Sequence, residues 1–153
     1  MKTVTFTRSA EIRWTGDVVR GSGAVSAGSG AFQVAAMFPS LRGEPAGVTT
    51  PEELLAASHA VCFGIGLRSV IARNGGVAST IRLTATITAE KGPEGIRVRR
   101  SHLTGFVEGL QGLEPDRLSE IGALVERDCT ISNAIRGAVQ ISYEITALTE
   151  GPQ

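Results

Sequence analysis

At 153 residues the chain suits one domain, spanning 1–153, and a chain of this size buries roughly 68–70% of its unfolded surface, enough for a core without disulfide staples. Fifteen basic residues balance fifteen acidic ones, and with no basic cluster the composition argues against a nucleic-acid partner. The N-terminus, MKTVTFTRSAEIRW, alternates polar and apolar residues where a secretory signal has charged, apolar and small-residue regions, so the expected location is the cytoplasm.

That alternation predicts an early strand or strand pair with Val4, Phe6, Ile12 and Trp14 on one face and Thr3, Thr5, Thr7, Glu11 and Arg13 on a wet one. Thr15-Gly16-Asp17 and Arg20-Gly21-Ser22-Gly23 supply turns, and Ala24-Val25-Ser26 and Phe32-Gln33-Val34 read as short strands of a hairpin meander. From Phe38 to Thr50 the prolines and glycines predict an ordered loop of about a dozen residues, long enough to suspect function, with Arg42 inside it.

A helix should then begin with Thr50 as N-cap, Pro51 at the first helical position and Glu52 and Glu53 in the first turn. Glu53 can close a capping box on Thr50. The helix should run to about Arg73, where Asn74-Gly75-Gly76 stops it. Its stretch from Leu54 to Leu67 is apolar or small on almost every side, interrupted by Ser58 and His59, and is shorter than the ~20 residues a bilayer requires. It reads as a buried core helix and implies no membrane partner.

Two alternating strands follow, the first with Ile81, Leu83, Ala85 and Ile87 on its apolar face, the second from Ile96 to about Val107, joined by the turn Gly92-Pro93-Glu94-Gly95. A second helix from near Pro115 carries the stripe Leu118, Ile121, Leu124 and Val125. A short third helix spans about Ser132 to Arg136, and a last strand turns Val139, Ile141, Tyr143 and Ile145 inward. Strands, helix, strands, helices, strand is the order of an α+β fold with mainly antiparallel sheet.

The chain has two cysteines, too few for a disulfide framework, and its two histidines lack zinc-ligand spacing from them. Taken singly, Cys62 is a small apolar residue in a helix, Cys129 a thiol near a helix start, Arg42 a loop cation and Glu52 a helix-dipole partner. Taken together they are the parts of a thiol site, because a thiolate nucleophile needs a cation to lower its pKa and the cation needs a carboxylate to aim it. His59, three residues before Cys62, reads as a packed or hydrogen-bonded histidine, and it and His102 are left outside the site.

The stretch Thr50-Pro51-Glu52-Glu53-Leu54-Leu55-Ala56-Ala57-Ser58-His59-Ala60-Val61-Cys62-Phe63 resembles the signature helix of the OsmC family. Trp14-Thr15-Gly16-Asp17-Val18-Val19-Arg20-Gly21-Ser22-Gly23 resembles its first hairpin, and Cys129-Thr130-Ile131-Ser132-Asn133-Ala134 its resolving-cysteine motif, with Thr130 where that motif commonly has proline. The resemblance implies an intertwined homodimer with two interfacial sites, closer to the OsmC branch than to the organic-hydroperoxide-resistance branch. It implies reduction of organic hydroperoxides and hydrogen peroxide by paired cysteines, in stress defence, with no metal or organic cofactor and an external dithiol as reductant. Carried over by residue, Cys62 is the peroxidatic thiol, Cys129 the resolving thiol, Glu52 the orienting carboxylate and Arg42 the activating cation. The Arg42 loop departs from the family's wording, so Arg20 is the substitute candidate.

If Glu52 serves Cys62, their separation of ten positions on one helix, roughly 15 Å along its axis, favours a two-fold partner that brings a loop and helix start to the other subunit's cysteine. Met37, Phe38, Leu54, Leu55 and Phe63 are candidates for an apolar pocket lining. Two other readings stay open: a non-catalytic redox sensor or small-ligand-binding dimer on the same fold, and a plain interaction domain with structural cysteines.

Overall fold

A computed structural model describes residues 1–38 and 46–149. The chain forms two compact units, Met1–Glu53 and Leu54–Gln153.

In the first unit, β1 (Ala10–Thr15), β2 (Ser22–Ala27) and β3 (Gln33–Ala36) form an antiparallel sheet in that order. Asp17 builds the first turn: its carboxylate accepts the N–H groups of Val19 and Arg20 at 2.9 and 2.7 Å, and its carbonyl accepts Gly21 N–H at 2.8 Å and Trp14 Nε1 at 3.2 Å. Gly21 is required there because a Cβ would come within 2.3 Å of the Asp17 carbonyl oxygen. The strand expected from Val4 onward begins only at Ala10; Val4, Phe6 and Ile12 are exposed. Among the described residues of this unit no second layer covers them, and alternation alone does not form a strand without a neighbour.

The long helix α1 (Pro51–Arg73) starts as expected: Thr50 Oγ1 accepts the Glu53 N–H at 3.3 Å. The Glu53 carboxylate does not return to Thr50, as a capping box requires, but accepts the Thr49 hydroxyl at 2.8 Å. At the far end Gly75 takes φ 85° and Gly76 N–H reaches back to Ile71 O at 2.9 Å, closing the last turn. The 23 residues of α1 are long and apolar enough, by length and composition, to cross a membrane, more than the Leu54 to Leu67 stretch suggested. One face is committed elsewhere: His59, Phe63, Leu67, Val70 and Ile71 are buried in the core. The other is not, for Val61 and Ile65 are 61% and 68% exposed, so burial on most sides is not met within one chain.

In the second unit β4 (Thr80–Gly92) and β5 (Gly95–Glu108) form the expected hairpin, with a register shift at Thr88/Ala89. A 3₁₀ turn, Pro115–Arg117, leads into α2 (Leu118–Asp128), then α3 (Thr130–Ile135) and β6 (Gln140–Leu148). β6 pairs with β5 in parallel, Arg100 opposite Gln140 to Glu108 opposite Leu148. Three of the four strand pairings are therefore antiparallel, and the fourth is a crossover that carries α2 and α3. Leu103 and Val107 of β5 pack with Leu118, Ile121 and Val125 of α2 and the buried face of α1, a core that also contains Cys129. The fold is α+β, mainly antiparallel, with a central helix.

Candidate active site

Cys62 stands mid-way along α1, partly exposed, next to the buried core residue Phe63. Cys129 is the residue between α2 and α3, with the extended backbone (φ −65°, ψ 122°) that lets a residue cap a helix. Its Sγ accepts the Ser132 N–H at 3.5 Å, the work usually done by a Ser, Thr, Asp or Asn oxygen. α3 thus begins at Thr130, two residues before the expected Ser132, because the thiol takes the cap position.

The fold brings together the two sulfurs that lie 67 positions apart in sequence. Cys129 Sγ donates to Cys62 Sγ at 3.1 Å, and both are free thiols. A disulfide needs about 2.05 Å, so closure asks for roughly 1 Å of further approach. The two thiols differ electrostatically. At Cys62 burial pushes the pKa up, but the Ile131 N–H, the Cys129 thiol and the N–H and hydroxyl of Thr130 outweigh it, and the net shift is downward. At Cys129 burial pushes the pKa up, hydrogen bonds from the Ser132 N–H and hydroxyl oppose it, Cys62 reinforces it, and the net shift is upward. One cysteine is biased toward thiolate and the other toward the thiol that donates to it.

A titration follows. Alkylation of Cys62 by iodoacetamide, followed by mass spectrometry across pH, should show a midpoint below that of an unperturbed cysteine, because a lowered pKa keeps the thiolate present at pH values where a free cysteine is already protonated. Cys129 should react more slowly at every neutral pH. A Cys62 midpoint at or above the free-cysteine value would contradict the geometry.

Glu52 lies in the first turn of α1 and is half-buried; Arg20 is exposed in the β1–β2 turn, its N–H on Asp17. Arg42 falls outside the described residues. Phe63 is not a pocket residue: it is wholly buried, its ring centroid 6.0 Å from that of Tyr143. Sequence reasoning missed Thr130 and Ile131, whose backbone groups act on Cys62. No residue-type signal marks a backbone amide; the position after Cys129 was the only hint. Among the described residues no group of three or more His, Cys, Asp or Glu could hold a metal ion.

In one α+β unit the central helix and the crossover bring two oppositely biased thiols into contact, a geometry suited to thiol redox chemistry. Residues 43–144 match the family described as OsmC-like protein, and the chain belongs to that family. It is 26% identical over 142 residues to peroxiredoxin OsmC of Escherichia coli (strain K12), covering 93% of this chain and 99% of that relative. An organic hydroperoxide resistance protein OsmC of Legionella pneumophila, described also as a predicted redox protein and regulator of sulfide bond formation, is similar at TM-score 0.76 and 25% identity, covering 94% of this chain and 99% of its own. An organic hydroperoxide resistance protein of Elizabethkingia anophelis, solved with thiocyanate bound, shares the fold at TM-score 0.77 and 23% identity over 97% and 100% of the two chains. Family membership supports a peroxidase-type role in hydroperoxide resistance.

Proposed function

We propose that this protein is a two-cysteine hydroperoxide reductase that converts organic hydroperoxides, and hydrogen peroxide, to alcohols and water. The observation that carries the reading is the 3.1 Å contact between a thiolate-biased Cys62 and a buried, protonated Cys129. The Cys62 thiolate attacks the terminal peroxide oxygen in line with the O–O bond; that bond breaks, the alkoxide takes a proton and leaves as alcohol, and Cys62 becomes a sulfenic acid. Cys129 then displaces water from the sulfenic acid to give the disulfide, and an external dithiol reduces it. Arg42, or Arg20 in its place, pairs with the thiolate and donates to the developing alkoxide, and Glu52 orients the guanidinium. The steps call on no metal or organic cofactor.

The exposed Val61 and Ile65 of α1 flank Cys62 in sequence and support a homodimer in which a second copy covers this face and encloses the sulfurs. The family match runs across the boundary between the two units, which supports one functional domain over 1–153. On this reading the protein is a stress-defence enzyme.

The test is consumption of cumene hydroperoxide by purified protein with a dithiol, wild type against Cys62→Ser. Sustained turnover in wild type and none in Cys62→Ser supports the enzyme. Absence of turnover in wild type with every dithiol tried would leave the same cysteines serving a redox sensor or a small-ligand-binding dimer.

A further inference from the structure

His59 is wholly buried, and hydroxyls meet both its ring nitrogens: Ser101 Oγ of β5 lies 2.7 Å from Nδ1 and Ser132 Oγ of α3 lies 2.8 Å from Nε2. Ser101 and Ser132 are themselves wholly buried. Ser132 is also the residue whose N–H lies on Cys129 Sγ. The same serine meets a buried imidazole through its hydroxyl and, through its backbone N–H, the thiol that must lose a proton before it can attack Cys62; its hydroxyl also acts on that thiol, lowering its pKa.

The choice of partners bears on what this histidine can do. A carbonyl or carboxylate on either ring nitrogen would hold the ring in one tautomer. A hydroxyl both donates and accepts, so every protonation state of His59 is satisfied in place. With the proton on Nδ1, Ser132 donates into Nε2. With it on Nε2, Ser132 accepts and its own hydrogen is free to turn to the Cys129 sulfur. As imidazolium, both N–H groups still have oxygen acceptors. A histidine serving only to tie α1, β5 and α3 together has no need of that freedom.

We propose that His59, acting through the Ser132 hydroxyl, accepts the Cys129 proton during the resolving step, an inference that rests on the two-cysteine reading above. As the Cys129 S–H bond breaks, its proton passes to Ser132 Oγ while the Ser132 proton passes to His59 Nε2. The electron pair left on Cys129 Sγ forms the S–S bond to Cys62 Sγ, the Cys62 S–O bond breaks, and the hydroxide leaves to solvent past the partly exposed Cys62. When an external dithiol attacks Cys62, Cys129 departs as thiolate and the relay returns the proton to it, so Cys129 is a thiol again at the start of the next cycle. His59 touches no reacting atom and is a positioning and proton-holding residue.

The surroundings suit the task. Burial lowers the His59 pKa, which keeps the ring neutral and able to accept at neutral pH, and Glu126 of α2, paired with Arg136 at 2.8 Å, opposes that shift and eases the imidazolium. Cys62 follows one turn on along its own helix and Cys129 caps α3, while β5 contributes the neutral Ser101.

The experiment treats reduced full-length protein with one equivalent of cumene hydroperoxide and follows Cys62–Cys129 disulfide against dimedone-trapped sulfenic acid by mass spectrometry, from pH 5 to pH 9. In wild type the resolving rate should hold through 6.5, the ordinary histidine value, and fall only at lower pH, because the lowered pKa keeps the ring neutral until then. In His59→Gln, which retains a donor and an acceptor but takes up no proton, and in Ser132→Ala, which cuts the link and leaves the ring, disulfide formation at pH 7 should slow about a hundredfold, the scale of general-base assistance. Sulfenic acid should accumulate, and the residual rate should climb about tenfold per pH unit as hydroxide replaces the relay. Folded variants with wild-type rate and profile overturn the relay. Absence of any Cys62 oxidation in wild type instead overturns the peroxidase reading, so the two failures are distinct.

Discussion

Cys129→Ser should consume a single equivalent of hydroperoxide per Cys62 and then stop, with Cys62 passing from sulfenic to sulfinic and sulfonic acid under excess peroxide. The substitution separates chemistry from folding unusually well. Cys129 caps α3 by accepting the Ser132 N–H, and serine is among the preferred residues at that position, so the helix start is kept. The loss is confined to the second sulfur. Without it Cys62–SOH has no thiol 3.1 Å away and waits for an external thiol or another peroxide. The serine hydroxyl keeps a donor beside Cys62, so its first oxidation should stay close to the wild-type rate at neutral pH. Mass spectrometry of the protein after graded peroxide additions checks both points. If Cys129→Ser turns over with the same dithiol at the wild-type rate, Cys129 does not resolve the sulfenic acid and the pair is structural.

The parts of this site that were legible in the sequence are those written in residue type and local spacing. Thr50-Pro51 and Asn74-Gly75-Gly76 mark both ends of α1, and Gly92-Pro93-Glu94-Gly95 marks the β4–β5 turn, because caps and tight turns restrict which residues fit. What escaped depends on partners far along the chain. Period-two alternation identifies β6 as a strand but says nothing of its neighbour, so its parallel pairing with β5 was not visible. His59 reads as a packed or hydrogen-bonded histidine, but its partners were hidden because the two serines are 42 and 73 positions away. The meeting of Cys62 and Cys129 had the same difficulty and was reached only through family resemblance, since no local pattern relates two helices joined by a β-hairpin. The start of α3 was misjudged for a different reason: sequence rules look for an oxygen at the N-cap, and here a sulfur occupies it.

Phe63→Ala should be the most damaging single substitution to stability near the site, lowering it by about 3–5 kcal/mol. Phe63 follows Cys62 directly but points the other way, with no exposed surface. Its ring meets the Tyr143 ring at 6.0 Å between centroids and the His59 ring edge-on at 6.3 Å, and it belongs to the core with Leu67, Leu103, Ile121 and Val125. Truncation removes the transfer free energy of the ring and leaves a void among α1, α2 and β5 that rigid elements fill only in part. Against the ~5–15 kcal/mol typical of a domain, that loss puts an appreciable share of molecules near unfolding. Urea denaturation should show the midpoint falling with the slope unchanged, and Phe63→Leu, which keeps much of the volume, should lose clearly less. The consequence reaches the sulfurs: the wall that Phe63 fills backs both α1 at Cys62 and His59. Phe63→Ala should therefore also slow Cys62–Cys129 disulfide formation at temperatures where the protein is still folded. A midpoint shift of less than about 1 kcal/mol would mean the core collapses around the gap and that the helix face at Phe63 does not hold the site in place.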